Sequence, residues 1–488
     1  MSVTHSSRSS KSSASDTETE DDNQVVKVAI VGTGLAGLAT AYYLTSASDK
    51  TVRYETHLFE ERTSIGFDAA SVSAVDDNGV EKRIDVPMRS FADGYYKRVI
   101  ALYRSLGLQF HDAKFTYSFS ELVNENTNTY FLHGGRKGLT NGGRPAGVGR
   151  VKYITDLLVI ALFYLYFSVI AVVKTPRGNV SVSNDDGYTG KNQGCIYGSV
   201  DMARVHSNIE SFESYARRFH IPQWFTDKFV VALFCAMSTC DAATIKNAPA
   251  ADIIDYKTRT FGKAHYVLSN SSRSAVSALI EPLNRENIHL GAGARAIIRD
   301  GPTWTIHTAG GDYTHFTHVV FATAPGRIGT LYPPFASALK LVKTNFVKVL
   351  VHTDERVLNF LHPQNIRELN LLCLPSGTEA THVLFPGVFQ TTNPTCLSDD
   401  VDSDDFGGRI QKDKILSESV FERVVRSNEL VHAVDQLRTL QGQQNVWVAA
   451  SWMWEGLVLL EGCITSAEFV CNGISRRSSS SPLSAEKV

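Results

Sequence analysis

The chain has 488 residues, 43% apolar and 10% aromatic, enough for two sizeable cores or one interleaved pair of domains. A formal charge of -2 excludes a general basic field that would gather nucleic acid or coat an anionic membrane, so any membrane contact must be local. Seven cysteines (Cys195, Cys235, Cys240, Cys373, Cys396, Cys463, Cys471) are odd in number and show no metal-ligand spacing, which points to free thiols in a reducing, cytoplasmic setting and to no metal site.

Residues 1–24 are Ser-rich and then acidic, without the apolar core of a secretory signal, and are expected to be a disordered tail. From Val25 the run VVKVAIVGTGLAGLATAYYL reads as a buried strand, a glycine turn and an apolar helix, and a second strand over Val52 to Phe59 ends in Glu60 and Glu61. In this βαβ unit Gly32 permits the tight bend, Gly34 lets backbone approach a pyrophosphate, and Gly37 lets the helix sit on the sheet. Leu35 and Ala36 place the helix's first N–H groups beneath the phosphates. Glu60 is the candidate to accept hydrogen bonds from an adenosine ribose, with Glu61 as its solvated neighbour. FAD, NAD and S-adenosylmethionine all stay open on this turn alone.

Three stretches read as loops: Asn124 to Arg150, Gly178 to Gly198 and Thr391 to Gly408. Between the first two, Leu157 to Val173 (LLVIALFYLYFSVIAVV) runs 17 residues without a charge, about 25 Å as a helix. It is flanked by Arg150, Lys152, Asp156, Lys174 and Arg177. Spanning is disfavoured, because one crossing would separate segments that must build one domain. A buried helix and a monotopic helix dipping into one leaflet both remain.

A strand at Trp304 to His307, a turn at Gly310-Gly311 and a buried strand at Thr317 to Thr323 follow, closing on Ala324-Pro325. Near the end come a strand at Val446 to Ala450, the segment SWMWEGLVLLEG, a helix from Cys463 towards Val470, and a tail after Arg476.

Three segments, VAIVGTGLAGLATAYYL with LFEER, the hairpin with VVFATAP, and VWVAASWMWEGLVLLEGCITSAEF, together resemble the flavin-dependent amine oxidoreductase superfamily. This superfamily spans monoamine oxidases, protoporphyrinogen oxidases and phytoene-desaturase-like enzymes. IDVPMRSFADGYYKRVIALYRSLGL, VLVHTDERVL and QTTNP look most like its poorly characterised branch of predicted NAD/FAD-binding proteins. The resemblance implies FAD and an α/β fold: a Rossmann-like, two-dinucleotide-binding-type domain (25–115, 266–330, 431–475) interleaved with a mixed α+β substrate domain (116–265, 331–430). It implies that Glu461, Gly462 and Cys463 neighbour the flavin, their helix N-terminus facing its N1/C2 side. Ala294 is counted with the cofactor contacts.

The chain departs from the family in two places. Ile65-Gly66-Phe67-Asp68 keeps one glycine of a usual pair followed by a basic residue, leaving Arg62 as a substitute phosphate contact, and Ser466-Ala467 replaces Ser-Gly. Lys348 falls where several family amine oxidases hold a water near flavin N5, although a surface strand lysine is the plainer reading. Trp452 and Trp454 read equally as a substrate-pocket wall or as core, and His352 with Asp354 as a structural pair. The implied activity is FAD-dependent oxidation of a hydrophobic or lipid-like substrate, by hydride transfer to flavin N5. A peroxide-releasing amine oxidase and a catalytically degenerate flavin-binding partner are the alternatives.

Overall fold

Val28 to Val31, all but fully buried, form the centre of a parallel sheet because a strand covered on both faces must be apolar throughout. The computed structural model describes residues 24–48, 51–76, 78–113, 115–123, 126–135, 142–177, 209–374, 377–394 and 410–479. The elements that position the site are, in chain order, β1 (Gln24–Val31), α1 (Leu35–Ser46), β2 (Val52–Phe59) and α2 (Lys97–Ser105). β3 (Tyr117–Val123), β4 (Asn126–His133), α3 (Arg150–Val173), α4 (Ala232–Ser238), α5 (Ala242–Asn247) and α6 (Ser271–Ile280) come next. Then follow β5 (Ile288–His289), β6 (His318–Phe321), β7 (Thr344–His352), β8 (Leu369–Leu374), β9 (Gly377–Phe385) and β10 (Val388–Thr392). The chain closes with β11 (Ile415–Val424), α7 (Asn428–Leu440), β12 (Val446–Val448) and α8 (Leu460–Ser479).

Two sheets organise the molecule. The first is parallel, in the order β5-β2-β1-β6-β12. One of its faces carries α1 and α8; the other carries a core of Trp304, Phe316, Phe321, Phe335 and Leu437. The second has the order β11-β7-β10-β9-β8-β3-β4 and is antiparallel except where β8 meets β3. The chain passes between the sheets repeatedly, so the two are interleaved in sequence.

Several boundaries differ from the sequence reading. Asn126 to His133, read as loop, is strand β4, with Phe131 and Leu132 buried; its polar composition hid an alternation that pairs with β3. β10 likewise continues to Thr392. α3 starts at Arg150 rather than Leu157. α8 starts at Leu460 rather than Cys463 and runs to Ser479, past the expected tail boundary, because Arg477 bonds the Gly442 carbonyl and lies over Trp447. Residues 1–23, 178–198, 395–408 and 480–488 lie outside the described residues. The described cysteines, Cys235, Cys240, Cys373, Cys463 and Cys471, are free thiols.

Candidate cofactor site

The glycine turn sits at the carboxyl end of β1, in the crevice where ligands of open parallel sheets bind. Gly32 has φ +110°, and a Cβ there would stand 2.3 Å from the Ala322 carbonyl oxygen; its N–H donates to Phe59 O at 2.8 Å. A Cβ on Gly37 would stand 2.1 Å from Gly32 O. Gly34 is different. A Cβ there meets nothing within 4 Å, so this glycine borders open space at the N-cap of α1. Neither a capping side chain nor an acidic residue occupies that helix end, leaving its first-turn N–H groups and positive partial charge for an external anion.

Thr33 ties the turn to the end of β2. Glu60, buried, accepts from the Thr33 N–H at 3.1 Å and from its hydroxyl, while its other oxygen accepts from Arg62 N at 3.1 Å. The Thr33 hydroxyl in turn accepts from Gly66 N at 2.7 Å. A Cβ on Gly66 would come 3.0 Å from the Glu60 carboxylate, which explains why this glycine of the pair is retained. Glu61 and Arg62 are exposed, and Gly293 packs against Glu61. Ala294 points its side chain into the core beneath the sheet.

Where the family has its second glycine and a basic residue, Phe67 and Asp68 build something else. Phe67 is buried beneath the Arg89 guanidinium, 4.5 Å from its ring, and its carbonyl accepts from Arg89 at 2.6 Å. Asp68 accepts from Arg83 and from the Ser272 hydroxyl, each at 2.8 Å. Burial opposes its charge, yet these bonds hold the carboxyl below its ordinary range. A guanidinium therefore stands beside Phe67, supplied by Arg89 rather than Arg62.

At the other end of the chain, Gly462 lets α8 approach Ser451, whose carbonyl oxygen would be 2.2 Å from an added Cβ. The Cys463 sulfur lies against the first turn of α1 at Ala36, and burial pushes its thiol up to about 12. The first turns of α1 and α8 thus meet, two positive helix ends converging on one place.

Glu461 does not face that place. Its carboxylate accepts from the N–H groups of Arg98 and Val99 at 2.9–3.2 Å and so caps α2. Burial raises its pKa from 4.5 to about 6. A carboxyl with a raised folded-state pKa contributes stability that is full below about 4.5 and is lost as pH rises toward about 6. The loss is roughly 2 kcal/mol. Glu461→Gln is expected to flatten the dependence of melting temperature on pH across that window, read by scanning calorimetry.

Three other candidates fall away from the cleft. Lys348 shares a face of β7 with Leu350 and His352, whereas Val347 and Val349 face Ile84 and Val86 of the dinucleotide part. It pairs with Glu418 at 2.8 Å on the outer side of the sheet. Lys348→Met is expected to leave flavin content unchanged and air reoxidation of photoreduced flavin within about twofold, since an exposed pair contributes at most about 1 kcal/mol. Trp452 is core, packed with the cluster behind the parallel sheet. Trp454 lies between Phe469 and Arg438 and lines a separate groove of about 390 Å³ with Tyr43, Arg98 and Glu468.

His352 is fully buried and bonds Thr391 at 2.9 Å. Asp354 caps the next turn and pairs with Arg356; burial opposes its charge, but bonds from Arg356 and Gln411 N hold its pKa at about 2. Both are structural.

Sequence reasoning passed over Arg423. It occupies an inward position of β11, opposite Asn345, and its Nε is closed off from solvent without a hydrogen-bond partner. The strict alternation of ILSESVFERV, with an arginine on the half-buried phase, was the available signal.

A family model for an NAD(P)-binding Rossmann-like domain matches residues 30–106. By sequence, no curated protein matches the chain. Among solved structures, the fold is similar to that of a CLA-producing fatty acid isomerase from P. acnes (TM-score 0.60, 13% identity, 93% of this chain and 99% of that one). It is also similar to putrescine oxidase bound to putrescine (0.56, 13%, 93% and 100%) and to cyclohexylamine oxidase from Brevibacterium oxydans IH-35A (0.55, 11%, 93% and 99%).

Proposed function

We propose that this chain, which has the fold of the flavin amine oxidase-like superfamily, is an FAD-dependent oxidoreductase that takes a hydride from a hydrophobic or lipid-like substrate. The observation that carries this reading is the meeting of the α1 and α8 N-termini at Ala36 and Cys463, beside the open space over Gly34.

The residues fit the cofactor in sequence from one end to the other. Gly34, Leu35 and Ala36 offer N–H groups to the pyrophosphate, and Glu60, already at the end of β2, offers a carboxylate to the adenosine ribose. The α8 end, held close by Gly462, would meet the flavin ring, where a positive helix end would favour the reduced anion. Bound FAD supplies a hydride acceptor at N5. The protein's own part is to hold the substrate against that face, exclude water and polarise the ring.

Protein purified after FAD is supplied is expected to show flavin absorbance at one equivalent per chain. Protein that stays colourless under those conditions overturns the reading.

The substrate class rests on α3. This helix is the one described element long and apolar enough to cross a membrane, at 24 residues and mean hydropathy 2.4, and only 22% of that window is buried. Crossing is disfavoured, because β3 before it pairs with β8 after it and Ile160, Phe167, Ile170 and Ala171 anchor it to the body. Its outward arc, Val151, Ile154, Leu158, Leu162, Leu165, Val169 and Val172, is 50–81% exposed. No charge interrupts the helix between Asp156 and Lys174. A second copy of the chain docked on such a stripe would be expected to set charged pairs along its flanks. Here Tyr164, Tyr166, Trp224 and Phe261 are exposed, the helix's own basic residues stand at its ends, and Lys257, from a neighbouring helix, lies over Tyr164 and Phe261, an arrangement that suits one leaflet of an anionic bilayer. That location supports a lipid-like substrate.

A further inference from the structure

We propose that Arg423 is the receptor for an anionic group of the substrate, a carboxylate on an otherwise apolar molecule. The assignment deepens the oxidoreductase reading and rests on it.

The register of β11 against β7 fixes the direction of the side chain. Arg423 lies opposite Asn345 and shares its face with Phe421 and Val347, the side of the sheet turned toward the dinucleotide part. Its Nε is shut off from solvent and unpartnered, and no hydrogen bond or ion pair joins its guanidinium to any described residue. The Phe421 ring lies 5.1 Å from the guanidinium carbon.

The groups around it do not neutralise it. Arg89 stands nearby but is itself paired with Asp85 at 3.8 Å, and the Cys240 and Cys463 thiols are both pushed upward, the first by its hydrogen bond to Cys235 and burial and the second by burial, so they are neutral at pH 7. Asp241, on the elements packed against β7, accepts from Asn345 at 2.8 Å and caps α5 through Thr244 N at 2.6 Å. Burial and Arg89 push Arg423 itself down to about 10, which still leaves it charged at neutral pH.

Arg423 is half-buried with its Nε sealed, so holding its charge here without a counter-charge is costly and an anion offsets that cost. Its planar fork suits a carboxylate, and its own charge repels an ammonium. The face that Arg423 shares with Phe421 and Val347 packs on Val86, and Arg89 lies over Phe67, whose N–H donates to the Thr33 carbonyl of the glycine turn at 3.1 Å; Arg423 thus faces the side of the proposed cofactor, where a substrate must lie to react. The same charge argues against a protonated amine as substrate.

The test uses the FAD-loaded protein, with flavin content measured first, and follows the flavin spectrum during titration with octanoate, octanol and octylamine. Octanoate is expected to bind at least tenfold more tightly than octanol. Arg423→Gln should erase that preference at unchanged flavin content, and Arg423→Lys, which keeps the charge without the fork, should retain part of it. Charge-blind binding, a preference for octylamine, or an R423Q protein that keeps the octanoate preference overturns the proposal. So does an R423Q protein that loses FAD and an R423K protein that keeps it, since the guanidinium would then serve the flavin itself. Wild-type protein without flavin sinks the preceding section's reading instead, so the two failures are distinguishable.

Discussion

Gly34→Val is expected to leave the protein folded and to weaken FAD binding by at least a hundredfold, about 2.7 kcal/mol. The backbone at Gly34 is extended, φ -66° and ψ 174°, a conformation valine adopts readily, and the space where its Cβ would go is open. The added side chain therefore strains nothing in the protein and fills the space reserved for the pyrophosphate. Gly37→Ala is the contrast: its Cβ would stand 2.1 Å from Gly32 O and 3.1 Å from the Ala322 Cβ, so α1 must move off the sheet. That variant should lose several kcal/mol of stability, as overpacking does at the upper end. Flavin absorbance and melting temperature measured on both separate the cofactor role from the packing role. If Gly34→Val retained FAD at wild-type affinity, the pyrophosphate would not lie over this turn.

The glycine turn was legible because its chemistry is local. Three glycines at fixed spacing between a buried strand and an apolar helix need no tertiary information to be read, and Glu60 stands at the end of the next strand. Cys463 lies more than 400 residues from Ala36, and only the resemblance brought it into the argument. Lys348 turned on parity, and the plainer of its two readings, a surface strand lysine, is the one found. Lys348 and Val347 are neighbours in sequence but occupy opposite faces of β7, and a register uncertain by one residue inverts the reading. Arg423 was missed for the related reason that its importance lies in what is absent around it: no carboxylate reaches a side chain whose Nε is sealed from water. Glu461 was assigned to the flavin by its motif. Its carboxylate instead bonds to α2, an element more than 350 residues earlier.

Replacing Leu158, Leu162 and Leu165 together by glutamate is expected to reduce binding to anionic phospholipid vesicles by about a hundredfold. These side chains are 62–66% exposed, so each has roughly 1 kcal/mol of burial still to gain from a leaflet, and three amount to about two factors of ten. The protein itself should tolerate the change. None of the three contributes to a buried cluster, whereas Ile160, Phe167 and Ile170 on the opposite side hold α3 to the body, helped by Tyr166, whose hydroxyl donates to Phe219 O at 2.7 Å. Circular dichroism and melting temperature should match wild type, while cosedimentation with vesicles is lost. Binding should also weaken severalfold on going from anionic to neutral lipid, because Arg150, Lys152, Lys174 and Arg177 stand at the helix ends. A different outcome is informative. If the wild type sediments as a dimer without lipid, the triple variant is a monomer, and neither binds vesicles, the stripe is an interface between two copies. The membrane assignment then fails, and with it the structural reason for expecting a lipid-like substrate.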